Sequence, residues 1–359
     1  MTTLPTDETQ IAPEWLGAQL ARAGVSARVV SVRVERIAEG VGLMARLARL
    51  HVRYETASKD APATLIAKFP IDLPQNLQVA QLFQFYDREC SFYTELQGRT
   101  PLRIPRCYAA LRDGSSSFVL LLEDFGQGRV GDQISGNRAE DTRQAVLALA
   151  VHHAAFWDKT AALDFLVDSH APLFCQVLNV SYAGSVGPAI EAFAEHFTPE
   201  LNKLARGVGE RTTAMFERNL KRPLTVAHGD FRADNLFFDL PGGAAPGVID
   251  FQISGRGFGP FDIAYHLTQS VTQAVRRAIE RPLLEEYHRT LVEHGVRGFT
   301  FADLFEEYRK DALFALVYPI TVCGALDLTN PRARALGEVF LKRSLDAIVD
   351  LGAADTLDA

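Results

Sequence analysis

Cysteine is scarce in this chain and has no pattern. Its four cysteines, Cys90, Cys107, Cys175 and Cys323, include no C-x-x-C pair and have no histidine at zinc-ligand spacing. Neither a disulfide framework nor a structural zinc site is therefore expected, and thiols so scattered read as small buried hydrophobes in a reducing compartment. Long hydrophobic runs are missing too. The most apolar stretches, 144–157 and 312–326, are interrupted by His152 and His153 and by Pro319, and both fall short of the roughly 20 apolar residues that cross a bilayer. Positive charge is not in excess either: 37 Lys and Arg stand against 44 Asp and Glu, a net charge of −7, which argues against a nucleic-acid surface. Residues 1–10 are polar and acidic, without the basic start and apolar core of a secretion signal. A cytoplasmic protein with no membrane or nucleic-acid partner is expected; none of these features sets an oligomeric state.

What is present is ordinary globular material, 359 residues with 47% apolar and 23% charged, enough for two lobes. Residues 11–23 have helical spacing. Residues 29–37 and 45–54 alternate apolar with polar, and 64–69 is a short apolar run between prolines, so an antiparallel meander is predicted. Residues 77–96 read as one helix and 117–122 as a strand. A Gly-rich connector follows, then helices over 139–157 and most of 189–220, short strands at 224–227 and 247–251, and a mainly helical remainder from 261. The expected fold is α+β and two-lobed: an N-terminal lobe over 1–122, a hinge and connector over 123–136, and a larger helical lobe over 137–359. The first ten and last six residues are expected to be disordered.

The densest chemistry lies in Val226-Ala-His-Gly-Asp-Phe-Arg-Ala-Asp-Asn-Leu-Phe-Phe238, where an apolar strand opens into a loop carrying Asp230 and Asn235 and then closes into a second strand. A further strand ends Val248-Ile249-Asp250-Phe251-Gln252. Two carboxylates and one amide delivered from strand ends are what phosphoryl transfer needs. One carboxylate takes the attacking hydroxyl's proton, while an amide and the other carboxylate hold magnesium against the phosphates. Magnesium prefers hard oxygen ligands and keeps several waters, so few protein ligands suffice.

These two segments resemble the catalytic and metal loops of the aminoglycoside phosphotransferase and choline kinase superfamily. With Asp262-Ile-Ala-Tyr-His-Leu267 following, they are most similar to its ecdysteroid kinase-like branch. The resemblance covers about 39–267. It implies a protein-kinase-like fold with a small β-rich N-lobe and a larger helical C-lobe, Asp230 as catalytic base, Asn235 and Asp250 as magnesium ligands, and Asp262 as a structural brace of the loop. Gly229 stands where protein kinases carry Arg, Gln252 replaces the Gly of Asp-Phe-Gly, and no Ala-Pro-Glu follows, so a polypeptide substrate is disfavoured.

A kinase also needs a strand lysine on the α- and β-phosphates and a helix glutamate to hold it. Lys68, the one charge in an apolar run, and Glu89, within Arg88-Glu-Cys-Ser-Phe-Tyr93, fit these parts. A lone buried ammonium is costly, so an ion pair between them is expected; Glu95 is the competing partner. Gly40 and Gly42, between two predicted strands, match the position of a glycine loop over the triphosphate, although two glycines in a hairpin also make a plain turn. Main-chain groups near Leu122, Glu123 and Phe125, at the end of the 117–122 strand, are candidates for adenine.

The expected reaction is transfer of the ATP γ-phosphate, with Mg2+, to a hydroxyl of a small, hydrophobic alcohol. An aminoglycoside or choline-like amino alcohol is the nearest variant, and Glu285, Glu286, Glu306 and Glu307 are the acidic residues that would suit it. Two readings come from other classes. A catalytically silent nucleotide-binding protein would keep the fold, but Lys68, Glu89, Asp230, Asn235 and Asp250 are all intact. A dinucleotide-dependent oxidoreductase would use Gly126-Gln-Gly-Arg-Val-Gly131, yet Glu123 and Asp124 precede it and the next helix begins near Ala139, so no helix N-terminus meets the phosphates.

Overall fold

A computed structural model describes residues 4–37, 44–114, 117–169, 171–219, 221–325 and 329–358. They form two compact units, Met1–Gly128 with Gly247–Ile253, and Arg129–Pro246 with Ser254–Ala359. The class is α+β, with a small β-rich unit and a larger, mainly helical one, the division expected of the fold that the resemblance implies.

In the first unit the alternating segments pair as an antiparallel sheet in the order β1-β2-β3-β5-β4. Its strands are β1 (Ala27–Ile37), β2 (Ala45–Ala57), β3 (Thr64–Pro70), β4 (Cys107–Asp113) and β5 (Ser117–Glu123). The two-residue period of β3 sends Leu65, Ala67 and Phe69 to one face, where they pack with Ala48, Leu50, Val119 and Leu121. Trp15, Leu16 and Leu20 of α1 (Pro13–Arg22) close that core. Lys68 is thereby turned to the opposite face, beneath α3. Strand β4 had no clear signal, because its burial is only partial and its sequence, Cys-Tyr-Ala-Ala-Leu-Arg-Asp, alternates poorly.

The helix predicted over 77–96 is two helices, α2 (Pro74–Leu82) and α3 (Phe85–Leu96), broken at Gln84, whose φ is 57°. One straight helix would not bury Phe83, Phe85 and Tyr86 together; the left-handed residue re-aims the axis so that all three are covered. The Tyr86 hydroxyl then accepts from Ile71 N at 3.1 Å and donates to Met44 O at 2.9 Å, which fixes the start of α3 against the sheet.

The second unit holds α4 (Ala139–Phe156), α5 (Pro172–Ala192), α6 (Pro199–Asn219), α7 (Gly259–Gln269), α8 (Gln273–Glu293), α9 (Phe301–Phe314), α10 (Val317–Ala325) and α11 (Pro331–Leu351). Helix α5 starts well before the predicted 189, and the chain breaks before Pro199, which begins α6 as prolines commonly do. Every residue of α7 is buried, the mark of a helix enclosed by its neighbours. Around it Tyr182, Phe193, Phe216, Phe261, Phe314 and Leu341 belong to one core. A short ribbon pairs Thr225–Ala227 antiparallel with Gly255–Gly257. No helix among the described residues is long and apolar enough to cross a membrane.

The described chain ends are ordered, contrary to expectation. Glu8 is buried and pairs with Arg36 and Arg46, because a carboxylate can be buried when guanidinium groups compensate it. At the other end Thr356 is buried and Asp358 meets Arg211 at 2.8 Å.

Candidate active site

The first unit gathers three of the expected residues. Lys68 Nζ lies 2.7 Å from Glu89 Oε2 and 2.9 Å from Asp250 Oδ1. The lysine and glutamate side chains are 8% and 1% exposed, whereas Asp250 is 24% exposed, so the pair is dry and only the aspartate reaches solvent. Burial alone would pull the ammonium down, but the charges of Asp250 and Glu89 outweigh it and hold Lys68 above its ordinary value. Burial pushes Glu89 up, against the pull of Lys68. The helix places Glu89, not Glu95, on its buried face.

Asp250 itself is left-handed, with φ 68°, a conformation that costs about 1 kcal/mol for a residue with a Cβ and that Asp tolerates better than most. Its neighbour holds it there. The Phe251 ring stacks on Phe92 of α3 at 3.7 Å between centroids and meets Tyr93 edge-on at 5.9 Å. The 247–253 segment is thus anchored on the helix that supplies Glu89.

At the end of β5, Leu122 is paired with Ile66 of β3 and Cys107 of β4. The Glu123 N–H is taken by Arg106 O at 2.8 Å, and its carboxylate accepts Arg106 N at 3.0 Å. Phe125 is buried, and its carbonyl accepts Gly128 N at 2.8 Å in a tight turn. Gly40 and Gly42 lie outside the described residues.

The second unit holds the loop that follows Thr225–Ala227. Its entry is fixed by Asp262 on the first turn of α7. That carboxylate, wholly buried, accepts His228 N at 2.7 Å, Gly229 N at 2.9 Å and His153 Nε2 at 3.3 Å. Burial would raise Asp262, but hydrogen bonding and charge from His153 and His228 offset it and leave the carboxyl below its ordinary value. His153 is held by the Tyr287 hydroxyl at 2.9 Å, and its carbonyl accepts Thr225 Oγ1 at 2.8 Å. Next to it, His152 donates from Nε2 to Val226 O at 2.9 Å. Burial and the nearby His153 depress its pKa to about 3, so it is a neutral strut. His266 donates to Phe231 O at 3.1 Å and is lowered by burial to about 4. His152 and His153 thus hold the loop by hydrogen bonds, and His228 accepts Asp230 N at 3.2 Å.

Asp230 stands at the end of this brace. Tyr265 donates its hydroxyl to Oδ1 at 3.0 Å, Asn235 Nδ2 donates to Oδ2 at 3.1 Å and to the Asp230 carbonyl at 2.9 Å, and Arg232 Nε lies 3.2 Å from Oδ2. Burial, then the charge of Asp230, holds the Tyr265 phenol well above its ordinary value, so it stays a donor. Tyr265 and Arg232 were not singled out from sequence. The spacing of Tyr265, one turn after Asp262 on the same helix, was the available signal.

Each unit carries one hard oxygen donor of the kind magnesium prefers: in the second, Asn235, whose amide hydrogens are committed to Asp230 and leave its Oδ1 as the acceptor atom; in the first, the Asp250 carboxylate. Among the described residues no three or more His, Cys, Asp or Glu are arranged to hold a metal.

The acidic residues that would suit a cationic acceptor are already paired. Glu285 meets Arg281 at 3.4 Å, Glu286 meets Arg143 at 2.8 Å, Glu306 meets Arg309 at 2.8 Å, and Glu307 meets Arg222 at 2.6 Å. Beside Asp230 the surroundings are aromatic: Tyr265 meets Tyr318 edge-on at 5.5 Å and Phe261 at 5.9 Å.

A sequence model of the ecdysteroid kinase-like family matches residues 39–297. An uncharacterized kinase-like protein of Caenorhabditis elegans is 25% identical over 276 residues, 69% of each chain. Among solved structures, the chain is similar to an ethanolamine kinase of Plasmodium vivax (9% identity, 90% of this chain and 82% of that one, TM-score 0.47). It is likewise similar to a choline kinase of Cryptosporidium parvum (13% identity, 91% and 89%, TM-score 0.47). An aminoglycoside phosphotransferase of Streptomyces rimosus, solved with ADP and streptomycin, matches at 16% identity over 87% and 99%, with a TM-score of 0.47.

Proposed function

We propose, since the chain belongs to the ecdysteroid kinase-like family, that it transfers the γ-phosphoryl group of ATP to the hydroxyl of a small apolar alcohol in the cytoplasm. The observation that carries this reading is the Asp230 carboxylate, held by Tyr265 and Asn235 on a turn that buried Asp262 fastens. A carboxylate so oriented can take the proton as the alcohol oxygen attacks phosphorus and ADP departs. Lys68, kept charged by Glu89 and Asp250, holds the α- and β-phosphates. Main-chain groups near Leu122, Glu123 and Phe125 receive the adenine. Asn235 and Asp250 would hold magnesium, whose charge would offset that of the phosphate oxygens. The aromatic surroundings of Asp230 and the paired state of the acidic helix residues favour an uncharged acceptor over an aminoglycoside or amino alcohol.

A panel of hydroxylated compounds, screened for acceptor-dependent ATP consumption, tests the reading. Apolar alcohols are expected to stimulate turnover, and Asp230→Asn is expected to keep MgATP binding while losing phosphorylation of the best acceptor. Undiminished turnover in that variant removes Asp230 from the mechanism. Binding of ATP with no turnover of any acceptor favours a silent nucleotide binder.

A further inference from the structure

We infer that Arg343, on α11, is a positioning residue for the loop that carries Asp230 and Asn235, and that it acts through Gln133. The inference rests on the reading of Asp230 as the base. Arg343 projects from α11 and is buried, yet among the described residues its guanidinium is paired with no carboxylate. It donates instead to three main-chain carbonyls: Gln133 O at 2.6 Å, Ile134 O at 2.7 Å and Gln269 O at 3.0 Å. Burying a cation against neutral carbonyls is a poor way to gain stability. What the planar fork does well is fix two chain segments at once, here residues 133–134 and the end of α7.

The other side of the same segment meets the loop. Gln133 N donates to Asp234 Oδ1 at 2.9 Å. The buried Gln133 side chain accepts from Ala233 N at 3.1 Å and from Ser270 Oγ at 3.0 Å, and it donates to Gln269 O at 2.8 Å. Ser270 Oγ shares the Ala233 N–H at 3.0 Å. Two residues earlier, Gly131 N donates to Leu236 O at 2.8 Å, and the backbones approach so closely that a Cβ on Gly131 would lie 2.2 Å from Ala233 O. The contacts of 131–133 therefore fall on 233–236, the stretch that sets where Asn235 stands relative to Asp230. A guanidinium from α11 grips one side of this segment, and the catalytic loop is seated on the other.

The test uses the full chain and two independent readouts. The first is amide hydrogen exchange by mass spectrometry; the second is steady-state ATP turnover with water as acceptor, alongside MgADP affinity. Arg343→Met is expected to speed exchange over 228–236 by roughly tenfold, the loss expected when a charge-assisted hydrogen-bond cluster is removed. Peptides over β2 and β3 are expected not to change, and kcat is expected to fall while MgADP affinity holds. Arg343→Lys, with a point charge in place of the fork, is expected to restore part of both. Gln133→Met keeps the size and removes only the amide; it is expected to loosen 228–236 as Arg343→Met does, and the two effects are expected not to add. Should Arg343→Met fail to fold, Gln133→Met carries the test alone. Unchanged exchange over 228–236, or a uniform rise across the whole second unit, overturns the inference. Should the wild-type chain turn over no ATP with water, the exchange readout alone decides whether Arg343 holds the loop, and the base assignment is tested by the acceptor panel instead.

Discussion

At the scale of single residues the chemistry is set by what surrounds each charge. Lys68 has two anionic partners, and of these Glu89 is the dry one. Removing the lysine leaves a buried carboxylate uncompensated, which typically costs about 3 kcal/mol. Lys68→Met is therefore expected to lower the urea midpoint as well as abolish MgATP binding, and adding Glu89→Gln is expected to restore part of the stability but none of the binding. A double variant less stable than Lys68→Met alone would show that Glu89 is not held by charge. Tyr265→Phe tests the other site at the same scale. It removes one hydroxyl from Asp230 in a buried, shape-conserving way, so kcat is expected to fall about tenfold with the melting temperature nearly unchanged. The legibility of these residues in sequence follows from their chemistry. Asp230, Asn235 and Asp250 stand out because a hydroxyl proton and a hard cation call for those side chains close together or at strand ends. Tyr265 and Gln133 do not, because a tyrosine or glutamine gains its meaning only from a partner 35 or about 100 residues away.

At the scale of elements, the strands are legible where apolar and polar residues alternate, as in β1 and β2, or where an apolar run stands between breakers, as in β3, whose single charge also locates Lys68. Where burial is uneven the pattern was weaker. The partly exposed β4 alternates poorly, and α2 and α3 read as one helix in sequence because the break at Gln84 changes the direction of the axis without interrupting the apolar spacing. That break is itself testable. Gln84 has φ 57°, so Gln84→Gly relieves left-handed strain of about 1 kcal/mol, partly offset by the greater freedom of the unfolded chain. A small rise in the urea midpoint is expected, and a fall would mean that the Gln84 side chain is needed at the junction. The reverse change at the connector is expected to be harmful. Gly131→Ala forces a methyl group against Ala233 O, and overpacking of this kind costs about 1–3 kcal/mol, with loosening centred on the 233–236 segment.

At the scale of the whole molecule, the polar groups buried around the Asp230 loop couple its stability to pH. His152 and His266 are neutral struts whose folded pKa values fall to about 3 and about 4 through burial, from an ordinary 6.5. Between the folded and ordinary values an unfolded chain binds these protons and the folded chain does not, so stability rises with pH across that window. The contribution is complete above pH 6.5 and is lost as pH falls toward 4, with a slope of at most about 1.4 kcal/mol per pH unit for each histidine. Glu89, raised by burial, works in the opposite sense over part of the same range, so the difference between two proteins is the clean measurement. His152→Gln keeps a donor for Val226 O and cannot titrate. Its urea midpoint, followed from pH 7 to pH 4.5, is expected to fall less steeply than that of the wild type, by up to one proton's worth of slope. Parallel curves would mean that His152 is protonated in the folded chain, and the neutral strut beneath the Asp230 loop would then have to be an imidazolium, held by Asp262 rather than excluded by burial.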